Sequence, residues 1–133
     1  MDQNKVISER SLWRKLKIET PKISWIRIEN WALLGTPDLL VCNTFGYFFT
    51  LELKVTKGNK IRFSPHQIAF HKRHPKNTFI MAETLDPCSS KTSSLSLFHG
   101  SSIMSLVRYG MKIKPVACDF RACALVFENL KAP

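Results

Sequence analysis

The chain has 133 residues, 44% of them hydrophobic, and a formal net charge of +10 with pI near 9.8. One domain is the natural reading of that length, and the composition is too apolar for a disordered chain. No apolar run reaches the roughly 18–20 residues that span a bilayer. The charged start MDQNKVISERSLWRKLK has no signal-peptide core, so a cytoplasmic protein is expected.

Ser8 to Ile18 has apolar residues at helical spacing, with Ser8 as cap and Pro21 beyond the end. Ile23 to Glu29 alternates as a strand, and Gly35-Thr36-Pro37 forms a turn. Asp38 to Asn43 and Tyr47 to Val55 read as two strands of a hairpin around Phe45-Gly46. Lys57 to Lys60 is a loop. Ser64-Pro65 then opens a helix to about His74, with Ser at the cap and Pro in the first turn. Thr78 to Glu83 is another strand. The Ser-rich 86–102 stretch reads as mostly loop, Ile103 to Tyr109 as a short helix stopped by Gly110, and Arg121 to Leu130 as the last helix. Strands on either side of a crossover helix predict an α/β domain, a small mixed sheet flanked by helices.

The four cysteines, Cys42, Cys88, Cys118 and Cys123, form no CxxC pair, and His71 and His74 have no Cys pair beside them. Buried or inert thiols in a reducing compartment are expected rather than zinc. Trp13, Trp25 and Trp31 are expected in the core, with base stacking as the alternative.

Charge is uneven along the chain. Residues 1–37 carry +3, residues 38–54 carry −1, residues 55–76 carry +6 with no acid, and residues 77–133 carry +2. A basic run is ordinarily a solvated face. Here it directly follows Asp38 and Glu52, which fits a polyanion-binding surface beside a cation-binding pair. Glu52 and Lys54 lie two apart on a strand and leave the same face, while Leu51, Leu53 and Val55 point to the other. Charges on an apolar strand are costly to bury without partners. A hard cation would satisfy Asp38 and Glu52, since Mg²⁺ takes one or two carboxylates, waters and phosphate oxygens. Lys54 beside it would stabilise charge on a phosphate or orient a water. The plain alternative makes Asp38 a turn residue and Glu52 with Lys54 a surface pair.

The run GTPDLLV, then LELK, resembles the PD-(D/E)XK nuclease superfamily, with Asp38, Glu52 and Lys54 at its signature positions. Ser64-Pro65-His66-Gln67 resembles the Ser-x-x-Gln of its VRR-NUC branch and of related Holliday-junction resolvases, and HQIAFHKRHPKNTFIMAE continues the pattern. The signature covers residues 35–83. The resemblance implies a single nuclease domain over 1–133, with a restriction-endonuclease-like αβββαβ core over about 8–83 and residues 86–133 as a C-terminal elaboration. It implies a Mg²⁺- or Mn²⁺-dependent DNA endonuclease. Asp38, Glu52 and the Leu53 carbonyl would bind the metal, with Glu9 as a further candidate beside its competitors Glu19 and Glu29. Lys54 would assist water and transition state, and Gln67 would position Lys54 or a phosphate, the alternative being an exposed helix residue.

Lys57, Lys60, Arg62, His66, Lys72 and Arg73, with Lys76, are then the residues expected to contact DNA. His66, His71 and His74 are otherwise read as helix-surface histidines. Small relatives imply a homodimer acting on branched DNA such as junctions or flaps, and a virus or mobile element as source, acting in the host cytoplasm. Two other readings compete. One is a non-catalytic basic nucleic-acid-binding module. The other is an interaction protein whose charge serves solubility or an acidic partner.

Overall fold

The fold comes from a computed structural model that describes residues 8–28, 34–86 and 89–133, with backbone alone for 86 and 89–92. The element order is α1 (Glu9–Glu19), β1 (Ser24–Arg27), β2 (Leu39–Cys42), β3 (Phe48–Thr56), α2 (Pro65–Arg73), β4 (Thr78–Asp86), β5 (Ser89–His99), α3 (Ile103–Tyr109), β6 (Ala117–Cys118) and α4 (Phe120–Asn129). Short 3₁₀ turns flank α3 at Gly100–Ser102 and Gly110–Lys112. The strands form one mixed sheet in sequential order, β1 through β6. Every pairing is antiparallel except β3 with β4, which α2 connects as a crossover.

Each face of the sheet carries its own core. On one face Leu12 and Leu16 of α1 and Cys123 and Phe127 of α4 pack on Leu39, Val41, Phe49, Leu51, Leu53, Phe79, Met81, Leu95 and Leu97. On the other, Ile103 and Leu106 of α3 pack with Ile61, Ile80, Ala82 and Phe98, and Ile68 of α2 borders them. The period-2 alternation of β3 is thus shared between two helical layers. Trp13 and Trp25 border the first core and meet edge to face with centroids 5.6 Å apart, and Trp25 also meets Phe127 at 5.9 Å. Trp31, Glu29 and Cys88 lie outside the described residues.

Polar side chains lock these layers together. Asn43, nearly buried in the β2–β3 turn, donates to the Phe127 and Leu130 carbonyls at the end of α4 (2.8 and 2.6 Å). Its side-chain oxygen Oδ1 accepts from the Phe45 and Tyr47 N–H groups (3.0 and 3.1 Å). Lys15 of α1 pairs with the buried Glu83 of β4 at 3.2 Å, and the Ser93 hydroxyl donates to the same carboxylate oxygen. Ser8 caps α1 as expected, its hydroxyl accepting from the Ser11 N–H.

Three expectations are corrected. The 86–102 stretch is mostly strand: β4 runs on to Asp86, and β5 pairs with it from Ser89 to His99. Leu95 and Leu97 enter one core and Phe98 the other, and this alternation decides the strand in spite of the serines between them. A short edge strand, β6, also stands between the two helices read at 103–109 and 121–130. Third, His71 is no surface histidine. It is 1% exposed on the inner side of α2, and neither ring nitrogen has a hydrogen-bond partner among the described residues.

Burial, reinforced by the Lys54 charge, pushes His71 down to about 4 from 6.5. The native state therefore refuses a proton that the unfolded chain accepts below about 6.5. Stability from this residue is present above that pH and is lost as pH falls toward about 4, by about 3 kcal/mol in total. Urea midpoints should decline between pH 6.5 and 4 in the native protein. They should decline less in His71→Leu, and an equal slope in both would remove His71 as the cause.

Candidate active site

The register that pairs Leu39 with Leu51 sets Asp38, one residue earlier, beside Glu52 of β3. The two acids are tied through the backbone. The Leu53 N–H donates to Asp38 Oδ2 at 2.8 Å, and the Asp38 N–H donates to Glu52 Oε2 at 3.2 Å. Gly35 (φ +83°) precedes Asp38, and a Cβ there would lie 2.3 Å from the His66 carbonyl oxygen. The turn before Asp38 therefore packs directly on the first turn of α2, which only glycine permits in this conformation.

α2 supplies the fourth group. Ser64 and Gln67 form a capping box: the Ser64 hydroxyl accepts from the Gln67 backbone N–H at 3.1 Å, and the Gln67 side-chain oxygen Oε1 accepts from the Ser64 N–H at 3.0 Å. The same Gln67 side chain reaches β3. Its carbonyl accepts from Lys54 Nζ at 2.8 Å, and its amide donates to Glu52 Oε1 at 2.5 Å. Lys54 Nζ lies 4.0 Å from Glu52 Oε1 and 5.0 Å from the centre of the Phe63 ring. Asp38, Glu52, Lys54 and Gln67 are thus brought together as the sequence predicts, and Gln67 is not a free helix-surface residue.

Electrostatically the cluster is short of positive charge. Burial pushes the Glu52 carboxyl up to about 8, with the neighbouring Asp38 charge adding and Lys54 opposing. Burial also raises Asp38, against the pull of the Leu53 N–H and Lys54. Glu9 is raised by partial burial and then by Asp38, and it lines a small recess with Arg10, Trp13, Arg27, Asp38 and Leu53. Among its competitors, Glu19 is exposed at the far end of α1, and Glu29 is outside the described residues. Among the described residues no three His, Cys, Asp or Glu side chains converge to hold an ion. Glu52 is buried and Asp38 partly so, and desolvation drives both toward the neutral form; a dication with few protein ligands would stabilise such a pair, a donor set that fits Mg²⁺ better than zinc.

The basic residues divide between two places. Lys54, Lys57, Asn59, Lys60 and Arg62, with Glu9 at one side, line a groove of about 680 Å³ beside the carboxylates. Lys72 and Arg73 instead line a separate recess on α2 with Pro65, Ile68 and Ala69. His66 is exposed on the first turn of α2. Sequence reasoning missed Phe63, Arg27 and Asn59. An aromatic residue just before the Ser64-Pro65 cap was a usable signal for Phe63, whereas Asn59 and Arg27 gave none.

The chain matches no protein-family model, no curated protein and no solved structure.

Replacing Gln67 by Ala would leave a buried Glu52 oxygen without its donor and Lys54 without its acceptor. The variant should lose about 1–3 kcal/mol of stability in chemical denaturation. A loss no greater than that of an exposed alanine substitution, such as Lys72→Ala, would contradict this bracing role.

Proposed function

We propose that the chain is a metal-dependent DNA endonuclease hydrolysing phosphodiester bonds, of the PD-(D/E)XK kind. The observation that carries this reading is the single cluster of Asp38, Glu52 and Lys54, braced by Gln67 and opening beside a basic groove. The order α1-β1-β2-β3-α2-β4, with a parallel β3–β4 pair, supports a restriction-endonuclease-like core.

Asp38, Glu52 and the Leu53 carbonyl would hold Mg²⁺ or Mn²⁺, with Glu9 as an outer candidate. Such an ion supplies an activated water and neutralises charge on the phosphate and leaving oxygen. Lys54 places its ammonium beside the carboxylates, where it stabilises charge growing on a phosphate oxygen or orients a water. Gln67 holds that ammonium in one position and prevents its collapse into a closer pair with Glu52, from which it stays 4.0 Å away. Lys57, Lys60 and Arg62 bind phosphates flanking the scissile bond, and His66, Lys72 and Arg73 hold more distant ones. A domain this small has little surface for reading a long sequence, which favours branched or structured DNA. A homodimer with two such sites suits paired cuts.

One observation favours a second reading, a non-catalytic basic nucleic-acid-binding module. Both Glu52 oxygens are already hydrogen-bonded within the protein, as in a purely structural acid.

The two readings separate in an assay on labelled linear duplex, single strand, flap and four-way junction, with Mg²⁺, Mn²⁺ or EDTA. Cutting should require the metal and drop by roughly a hundredfold or more in Asp38→Asn and Glu52→Gln. DNA binding should persist in both variants. Salt-sensitive binding with no cutting of any substrate would establish the binding module instead.

A further inference from the structure

Among the described residues, none of those after β4 is bonded to the carboxylate cluster, yet one corner of this region grips the basic groove. At the end of α3 the chain turns through Gly110 into a 3₁₀ turn. Asn59, in the loop between β3 and α2, donates from its side chain to the Tyr109 carbonyl at 3.0 Å. The Met111 N–H in turn donates to the Asn59 carbonyl at 2.8 Å. Two bonds of opposite sense thus join one loop residue to both neighbours of Gly110. Gly110 sits at φ +62°, and a Cβ there would lie 2.1 Å from the Asn59 carbonyl oxygen. No other residue allows the corner this close.

The rest of the loop is held from the sheet side. The Thr56 hydroxyl donates to the Lys60 carbonyl at 2.8 Å, and the Thr84 hydroxyl of β4 donates to the Gly58 carbonyl at 3.1 Å. Ile61 is buried in the same core as Ile103 and Leu106 of α3. Between these anchors Lys57, Lys60 and Arg62 stay exposed. An exposed cationic loop free to move would have to be ordered on every phosphate it meets, and that ordering would be subtracted from affinity.

We propose that the Tyr109–Met111 corner is a clamp that pre-organises the Lys57–Arg62 loop for phosphate binding, with Asn59 as its positioning residue. The proposal rests on the nucleic-acid reading above and gives the C-terminal region a role in substrate affinity rather than in chemistry.

The test is Asn59→Ala in the full chain, with binding of a fluorescent four-way junction followed in EDTA over a range of KCl. Asn59 is exposed, so the variant should fold, as circular dichroism will check; Asn59→Ser repeats the test with a smaller change. Affinity should fall about threefold to tenfold, the effect of one hydrogen bond. The slope of log K against log salt should become shallower by about one phosphate contact. In cleavage, the loss should be carried mainly by KM. Gly110→Ala should give the same signature, more strongly. Wild-type affinity and salt slope in a folded Asn59→Ala would overturn the clamp alone, as would a fall in kcat at constant KM. A native protein that binds no DNA would overturn the nucleic-acid reading, and the clamp with it.

Discussion

The site depends on one side-chain amide. Gln67 has two chemically distinct ends, and each has a buried or partly buried charge to satisfy. Its carbonyl takes the Lys54 ammonium and the Ser64 N–H, and its amide takes Glu52. A charged residue in its place would satisfy one partner and repel the other. An apolar residue would leave both unpaired in a region of low dielectric, where each lost partner is felt strongly. The helix cap also fixes the rotamer, since the carbonyl that receives Lys54 is the one closing the capping box. The start of α2 and the placement of two charged side chains on β3 are therefore one structural fact.

This arrangement sets the energetic cost that the rest of the domain offsets. Two acids and an amine are withdrawn from water, a change that ordinarily costs several kcal/mol per ion before pairing. The protein recovers part of it through backbone donors, the Leu53 N–H to Asp38 and the Asp38 N–H to Glu52. The remainder is carried by the two apolar cores, which hold the sheet rigid from both faces. Glu52 sits at the boundary: its neighbours Leu51 and Leu53 enter the first core, and its parallel partner Ile80 the second. The acids are fixed where the sheet is best supported. A second buried carboxylate, Glu83, lies on the opposite face and answers Lys15, so it joins α1 to β4 and takes no part in the cluster.

Much of this was legible in the sequence because it rests on local signals. Ser8, Ser64-Pro65 and Gly110 punctuate the helices by their own chemistry, and the alternation of β2 and β3 declares two faces. The grouping of Asp38, Glu52 and Lys54 follows from hairpin register, which is nearly a local property. What escaped was long-range. Ser-rich β5 becomes a strand because β4 offers it a partner, and neither segment announces the other. His71 lies on a polar-looking helix, and only the packing of that helix on the sheet buries it. Asn43 reads as an ordinary turn residue, and its second task, holding the carbonyls at the end of α4, spans 84 and 87 residues of sequence. Asn59 is the same case: nothing in a Lys-Gly-Asn-Lys loop foretells its partners around residue 110.

The position of the groove follows from topology more than from composition. Of the five strand pairings among the described residues only β3 with β4 is parallel, so a crossover must leave the carboxyl end of β3 and return to the start of β4. In open α/β sheets the crevice at the carboxyl ends of strands is where ligands bind, because loops diverge there and helix N-termini point toward it. Residues 55–76, with six bases and no acid, span the end of β3 and that crossover; Glu52 lies on β3, which leads into it, and Asp38, just before the antiparallel β2, stands at the same end of the sheet. The opposition of charge along the sequence, −1 and then +6, is thereby folded into a short distance in space. A chain with the same composition but an antiparallel return from β3 would need only a tight turn there. It would have neither room for the basic loop nor a helix to carry Gln67 back to the acids.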